Sequence, residues 1–211
     1  MGRAISISSS ASTLISSRGA QSASASRIDS ALRLRLATQE SVAADLPQRL
    51  NGLFDQPAPD GVIDWQKLAC ALATRGAFSI VTGGPGTGKT TTVVRLLALL
   101  QAPAVESGSP LRIRLAAPTG KAAARLTESI SQQVLSLTVP QSVKEKIPTQ
   151  VTTVHRLLGS RPGTRHFRHH LGNPLPLDVL VVDEASMIDL EMMANLLDAL
   201  PPHARLVRLG D

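Results

Sequence analysis

A run of glycines followed by a lysine and a threonine carries the strongest chemical signal in the chain. The segment 83–90 reads GGPGTGKT and matches the pattern G-x-x-x-x-G-K-[ST], whose backbone N–H groups surround the phosphates of a nucleotide. Lys89 is expected to reach the β and γ phosphates of the nucleotide, and the Thr90 hydroxyl is expected to bind Mg²⁺. The predicted cofactor-binding residues here are Gly83, Gly84, Pro85, Gly86, Thr87, Gly88, Lys89, Thr90 and Thr91.

Two adjacent acids supply the second half of the predicted site. Asp183 and Glu184 follow an unbroken apolar run, as expected where a buried strand ends beside a bound nucleotide. Asp183 is predicted to hold Mg²⁺ through water, and Glu184 to polarise an attacking water molecule, which favours hydrolysis over phosphate transfer. The predicted catalytic residues are Lys89, Asp183 and Glu184, and the predicted magnesium ligands are Thr90 and Asp183.

These residues lie where predicted strands meet predicted helices. Strands that alternate with helices predict a parallel sheet with right-handed crossovers, and continuous apolar strands predict burial on both faces. The fold class is therefore α/β, with a P-loop nucleotide-binding domain. The predicted strands are 77–82, 111–116, 177–182 and 204–209, and the predicted helices begin near Asp64, Lys89, Lys121 and Asp189.

Composition narrows the class of protein further. With 43% hydrophobic and 18% charged residues the chain is able to form a core, and it has no run of about 20 apolar residues that would predict a membrane span. Its only cysteine, Cys70, excludes an internal disulfide. The net charge of +6 suits a polyanionic partner such as nucleic acid. Residues 77–126 contain one acid, Glu106, and six basic residues, Lys89, Arg95, Arg112, Arg114, Lys121 and Arg125.

The chain divides into three predicted segments. Residues 1–30 contain eleven serines and are predicted to be a disordered head, although transit-peptide and myristoylation patterns also fit. Residues 31–61 are predicted to form a linker with one short helix. Residues 62–211 are predicted to form the nucleotide-binding domain.

Three further motifs follow the glycine loop in order. They read RLAAPTGKAAARL at 114–126, TVHRLLG at 153–159 and LVVDEASMIDL at 180–190. Together with the loop they resemble the RecD-type branch of superfamily 1 DNA helicases, over residues 63–211. The resemblance implies a RecA-like domain, with the sequence ending before the second RecA-like domain of the family.

The family resemblance also implies roles for individual residues. Gln66 resembles the glutamine that reads adenine in such helicases, and the pair at 210–211 begins the motif that links the γ phosphate to DNA. The resemblance implies an ATP-driven 5′→3′ helicase of recombinational double-strand break repair, with single- and double-stranded DNA and the beta and gamma subunits of exodeoxyribonuclease V (RecB and RecC) as partners, in the cytoplasm. The implied DNA-binding residues are Pro118, Thr119, Gly120, Lys121, Thr153 and His155.

A basic segment lies between residues 149 and 177, which contain no acid. Contact with DNA phosphates and docking of a protein partner are both open for this segment. Its basic residues are Arg156, Arg161, Arg165, Arg168, His155, His166, His169 and His170.

Two other functions compete with the helicase. An AAA+ type ATPase has a nearly identical phosphate loop and predicts a nucleotide-dependent hexamer. A non-catalytic assembly module would use nucleotide to stabilise the fold alone. The helicase resemblance implies that an arginine from the second domain of the family completes catalysis, so the chain by itself is expected to bind nucleotide without unwinding DNA.

Overall fold

The computed structural model describes residues 20–54, 62–84, 86–160, 163–164 and 166–210. Five strands form one all-parallel sheet in the order β1-β5-β4-β2-β3. The strands are β1 Phe78–Thr82, β2 Ile113–Ala117, β3 Val151–Thr153, β4 Val179–Val182 and β5 Arg205–Gly210. The helices are α1 Ala20–Ala37, α2 Leu46–Leu53, α3 Trp65–Ala73, α4 Lys89–Glu106, α5 Gly120–Ser136, α6 Gln141–Lys144, α7 Val154–Leu158 and α8 Leu190–Ala199, with a 3-10 turn at Ala185–Met187.

Apolar side chains on both faces of the sheet explain its place in the middle of the molecule. Along β4, Val179 and Val181 pack into a core with α2 to α6, whereas Leu180 and Val182 pack into a second core with α1, α7 and α8. Successive residues of a strand point to opposite faces, and helices cover both faces, so all four side chains are buried. The predicted α/β fold with a parallel sheet is confirmed.

Most predicted elements appear within a few residues of their expected bounds. Asp64 and Asp189 cap α3 and α8 as predicted, accepting hydrogen bonds from the backbone N–H groups of Lys67 and Met192 at 3.0 and 2.8 Å. The sequence analysis missed β3, α6 and α7. These elements have only three, four and five residues, too few for an apolar period to be recognised.

The prediction of a disordered head is wrong for residues 20–30, which form the first part of α1. Ile28 packs in the second core, and Arg35 is 2% exposed. The Arg35 guanidinium donates to the carbonyls of Leu200 and Pro201, at 3.1 Å each, just beyond the last residue of α8. A cation is favourable at a helix C-terminus. Polar contacts of this kind leave no apolar stripe in the sequence by which the helix could be recognised. Residues 1–19 lie outside the described part of the chain.

The predicted linker also packs against the domain where the structure describes it. Phe54, at the end of α2, is buried in the first core. Glu40 pairs with Arg205 of β5 at 3.2 Å, and its backbone N–H donates to the Arg75 carbonyl at 3.1 Å. The part of the predicted linker at 55–61 lies outside the described residues. No helix among the residues described is long and apolar enough to cross a membrane.

An ion pair at the amino ends of β2 and β4 predicts acid sensitivity. Asp178 accepts hydrogen bonds from the guanidinium and backbone N–H of Arg112 at 2.8 to 3.0 Å, and the guanidinium lowers the pKa of Asp178 to about 2. Since the folded pKa lies below the unfolded one, this stabilisation is present above about pH 4 and is lost as the pH falls towards 2. Between about pH 5 and pH 2 we expect the wild type to lose about 1 to 2 kcal/mol more stability than Asp178→Asn, because only the wild type loses a carboxylate that is paired with Arg112. The figure is reduced because the exposed Arg112 guanidinium is partly screened by water.

Urea denaturation at a series of pH values measures this difference. Parallel loss of stability in the two proteins as the pH falls would show that the pair contributes nothing.

Candidate nucleotide and nucleic-acid site

The phosphate loop, residues 83–88, joins the carboxyl end of β1 to the amino end of α4. Gly86 and Gly88 have φ values of 74° and 81°, the left-handed region that glycine enters without a steric penalty. A Cβ on Gly83 would lie 2.6 Å from the Thr87 hydroxyl oxygen, so a side chain there would collide with the loop. The glycine pattern is therefore required by this backbone path. Pro85 lies outside the described residues.

Hydrogen bonds within the loop hold it closed around its lysine. Thr87 donates to the Gly84 carbonyl through its backbone N–H at 3.3 Å and through its hydroxyl at 2.9 Å. The Lys89 ammonium donates to the Gly83 carbonyl, which places its charge against the loop. An ammonium group, a glycine-rich backbone and the amino end of an 18-residue helix together fit the phosphates of a nucleotide.

The two threonines after Lys89 differ in their surroundings. Thr90 lies in the first turn of α4 and is partly buried, next to the lysine that contacts the loop. Its hydroxyl is of the type that binds Mg²⁺ in such loops. The Thr91 hydroxyl instead donates to Gln133 of α5 at 3.0 Å, so this side chain joins two helices. A cofactor role for Thr91 remains a prediction.

The two acids lie at the same edge of the sheet as the phosphate loop. The Asp183 backbone N–H donates to the Ala116 carbonyl at 3.0 Å, so it extends the pairing of β4 with β2. Strand β5 lies between β1 and β4, which separates the acids from the loop by two inter-strand spacings, about 10 Å. The backbone of the acids and that of the loop therefore lie on either side of the end of β5, at the same edge of the sheet.

The predicted DNA-side residues come together at the carboxyl ends of β2 and β3. These strands are neighbours, with Ala117 opposite Thr153. Thr119 caps α5 by accepting from the Ala122 N–H at 3.1 Å, and Thr153 caps α7 by accepting from the Arg156 N–H at 3.3 Å. Both hydroxyls thus also have a structural role. Pro118 is partly buried, whereas Thr119, Gly120, Lys121 and His155 are exposed.

The basic segment after α7 folds back on the end of that helix. The Arg168 backbone N–H donates to the Gly159 carbonyl at 3.0 Å, and a Cβ on Gly159 would lie 2.8 Å from the Arg168 Cβ. Phe167 makes an edge contact with His155 at 6.1 Å between ring centroids. The segment therefore holds its exposed cations beside the predicted DNA-side residues. Arg161 and Arg165 lie outside the described residues.

A family model described as an AAA domain matches residues 66–211. The chain belongs to this family. The matched region of the AAA domain runs from Gln66 through all five strands, so it contains the phosphate loop, the acids and the DNA-side residues.

Curated relatives of this AAA domain agree with the resemblance seen in the motifs. The "RecBCD enzyme subunit RecD" of Haemophilus influenzae is 49% identical over 171 residues, which are 79% of this chain and 26% of that protein. The protein of the same name from Mycolicibacterium smegmatis is 53% identical over 148 residues, 69% of this chain and 26% of that protein. The "ATP-dependent RecD2 DNA helicase" of Deinococcus radiodurans is 41% identical over 132 residues, 63% of this chain and 15% of that protein.

The predicted similarity to RecD-type helicases is confirmed by these relatives. The chain spans about a quarter of the length of the two RecD subunits. Among solved structures, the crystal structure of T4 UvsW matches with a TM-score of 0.51 and 14% identity, over 82% of this chain and 35% of that one. This likeness concerns the fold alone, and it agrees with a RecA-like P-loop domain.

The sequence analysis predicted Gln66 but missed two residues near the phosphate loop of the AAA domain, Arg95 and Phe54. Gln66, the predicted adenine reader, donates from Nε2 to the Thr87 carbonyl at 3.2 Å and accepts at Oε1 from Arg95 at 3.3 Å. The Arg95 guanidinium lies over the Phe54 ring, 4.4 Å from its centroid. The sequence places Arg95 only among the six basic residues of 77–126, because composition does not show which way a helical arginine points.

Strain at Glu184 predicts a trade of stability for function. Its φ and ψ of 46° and 38° lie in the left-handed region, which costs an L-residue about 1 to 2 kcal/mol. Glu184→Gly is expected to raise the free energy of unfolding by about 0.5 to 1 kcal/mol, after subtracting the entropy cost of glycine. The same replacement removes the carboxylate predicted to polarise water.

Glu191→Gly is the matched control, because Glu191 lies in the first turn of α8 with helical neighbours. It is expected to lower stability by about 0.5 to 1 kcal/mol. Chemical denaturation compares the two variants, and an equal destabilisation by both would show that Glu184 stores no strain.

Proposed function

We propose that the chain is the ATP-hydrolysing motor domain of a 5′→3′ DNA helicase of the RecD type. The observation that carries this proposal is the placement of four motifs at one edge of one sheet. The phosphate loop follows β1, the acids follow β4, and the predicted DNA-side residues follow β2 and β3. In a parallel sheet all carboxyl ends share an edge, so nucleotide and DNA would bind within reach of each other.

The phosphate side of the site is proposed to act through groups of this chain. Lys89, already held against the loop, would bind the β and γ phosphates, while Thr90 and Asp183 would hold Mg²⁺. The magnesium ion would neutralise charge on the phosphates. Glu184 would orient and polarise water, and its strained backbone supports a role that local stability does not explain.

The DNA side of the site is proposed to bind the phosphate backbone without reading sequence. Lys121 and His155 are exposed at the edge that also holds the phosphate loop, and Arg156 and Arg168 extend this basic surface. Cations that neutralise phosphates give affinity that depends steeply on salt. We propose that this surface binds the phosphate backbone of both single- and double-stranded DNA.

The proposed setting follows from the relatives. Two of them are named as RecD subunits of the RecBCD enzyme, which supports RecB and RecC, the beta and gamma subunits of exodeoxyribonuclease V, as partners. We propose the same role in recombinational repair of double-strand breaks, in the cytoplasm.

Binding of a fluorescent single-stranded oligonucleotide tests the DNA side by anisotropy at several salt concentrations. Lys121→Ala is expected to weaken binding and to reduce the slope of log affinity against log salt by about 0.7. Lys146→Ala is the control, because this exposed lysine precedes β3 and so lies toward the amino ends of the strands. Salt-independent binding, or equal loss in both variants, would contradict the proposed DNA surface.

A further inference from the structure

A chain of contacts runs from the end of α2 to the phosphate loop. The Phe54 ring lies beneath the Arg95 guanidinium, which donates to Gln66 Oε1, and Gln66 Nε2 donates to the Thr87 carbonyl. Gly88 permits this approach, because a Cβ there would collide with Gln66 Nε2. Phe54 at the end of α2 is therefore linked through Arg95 of α4 to the amide group of Gln66 on α3, beside the loop.

These contacts fix which way the Gln66 amide faces. A guanidinium has only donors and a carbonyl only accepts, so Oε1 must face Arg95 and Nε2 must face Thr87. Without Arg95, the amide would be held at its nitrogen end alone and would turn more freely about its terminal torsion. Arg95 thus fixes the positions of Gln66 Oε1 and Nε2, the atoms that would contact a base, without contacting the base itself.

A fixed amide has a defined preference among purines. Oε1 accepts two hydrogen bonds and Nε2 donates two, and one of each is used by the described part of the chain. The amide therefore has one further acceptor position and one further donor position for a base. Adenine offers the complementary N6 donor and N7 acceptor, whereas guanine offers two acceptors, O6 and N7. An amide held in this orientation pairs with adenine and meets guanine with one unmatched acceptor.

We propose that Arg95, clamped on the Phe54 ring, is a positioning residue that sets the preference of this site for adenine over guanine nucleotides by holding the Gln66 amide. The inference rests on the proposed nucleotide-binding function. It adds that base selectivity depends on Phe54, which follows a helix in the segment predicted to be a linker. Phe54 is buried and partly buried Arg95 lies over it, so the guanidinium has a rigid support.

The test compares the affinities of the full chain for ATP, GTP and inorganic tripolyphosphate, by calorimetry with Mg²⁺. Tripolyphosphate probes the phosphate loop without a base. Arg95→Met is expected to lower the ratio of ATP to GTP affinity about tenfold, the equivalent of one hydrogen bond, and to leave tripolyphosphate affinity unchanged. Arg95→Lys, which keeps a donor but not the planar stack, is expected to give an intermediate ratio.

One further variant keeps the test decisive if Arg95→Met unfolds, and another serves as its control. Phe54→Leu removes the ring but retains an apolar side chain, and is expected to lower the same ratio by a smaller factor. Arg125→Met, at an exposed arginine of α5, is the control and is expected to change none of the three affinities.

The remaining outcomes distinguish failure of the positioning role of Arg95 from failure of the proposed nucleotide-binding function. If the ratio is unchanged in Arg95→Met but falls in Gln66→Ala, or if all three affinities fall together, Arg95 is not a positioning residue. If Gln66→Ala also keeps the ratio while tripolyphosphate binding still requires Lys89, the inference fails and the nucleotide-binding function stands. If neither ATP nor tripolyphosphate binds, both are overturned.

Discussion

Lys89→Ala is expected to abolish the thermal stabilisation that Mg-ATP gives to the chain. At a nucleotide concentration of 100 times Kd, binding to the native state alone adds about 2.7 kcal/mol, which raises Tm by about 5 to 10 °C in a protein of this size. The ammonium that contacts the Gly83 carbonyl is the cation closest in sequence to the loop glycines, so its loss removes the main charge opposing the phosphates. Differential scanning fluorimetry with and without Mg-ATP measures the shift.

Lys121→Ala is the matched control for Lys89→Ala. It also removes a lysine at the carboxyl edge of the sheet, but from the start of α5 rather than from the loop. Its Mg-ATP shift should equal that of the wild type. If Lys89→Ala retained the full shift, nucleotide would be binding elsewhere and the assignment of the phosphate loop would be wrong.

Gln101→Met is expected to cause the largest loss of stability among the polar substitutions considered. Gln101 is fully buried in α4. Its Nε2 donates to the carbonyls of Leu111 and Lys146 at 3.1 and 2.9 Å, and its Oε1 accepts from the Leu111 N–H at 2.8 Å. Methionine fills a similar volume but leaves three backbone groups unpaired, at about 1 to 3 kcal/mol each. We expect a loss of at least about 3 kcal/mol, and a fall in Tm of at least about 6 °C.

Gln132→Met provides the comparison, since Gln132 is exposed on α5 and should tolerate methionine within about 0.5 kcal/mol. Urea denaturation of both variants gives the two free energies. A loss below about 1 kcal/mol in Gln101→Met would mean that water or a local shift satisfies the freed backbone groups.

Gln101 illustrates why some of the molecule was not predictable from the sequence. Nothing in its neighbours distinguishes it from a surface glutamine, because its partners lie ten and forty-five residues away. Arg35 was missed for the same reason, since it binds carbonyls 165 and 166 residues away. The boundary predicted at residue 30 is wrong because the contacts that hold α1, from Ile28 as well as Arg35, are made with residues far away in the sequence.

The strand order was equally hidden, although the strands were predicted. The apolar runs at β1, β4 and β5 identify buried strands, but they do not show that β5 lies between the other two. That order sets the distance between the phosphate loop and Asp183. Packing of helices on both faces of the sheet determines it, and packing is a property of the whole chain.

The sequence by itself determined the glycine loop, the acids, the buried strands and the similarity to RecD-type helicases. These features are local: left-handed glycines, a lysine at a helix start and a two-residue period are each specified within about ten residues. The tertiary structure alone decided that Gln66 donates to the phosphate loop and accepts a hydrogen bond from Arg95, that residues 20–54 pack on the domain, and that β5 lies between the strand before the loop and the strand before the acids. Each of these depends on which distant side chains come into contact, and contact follows from burial of the two cores on the sheet.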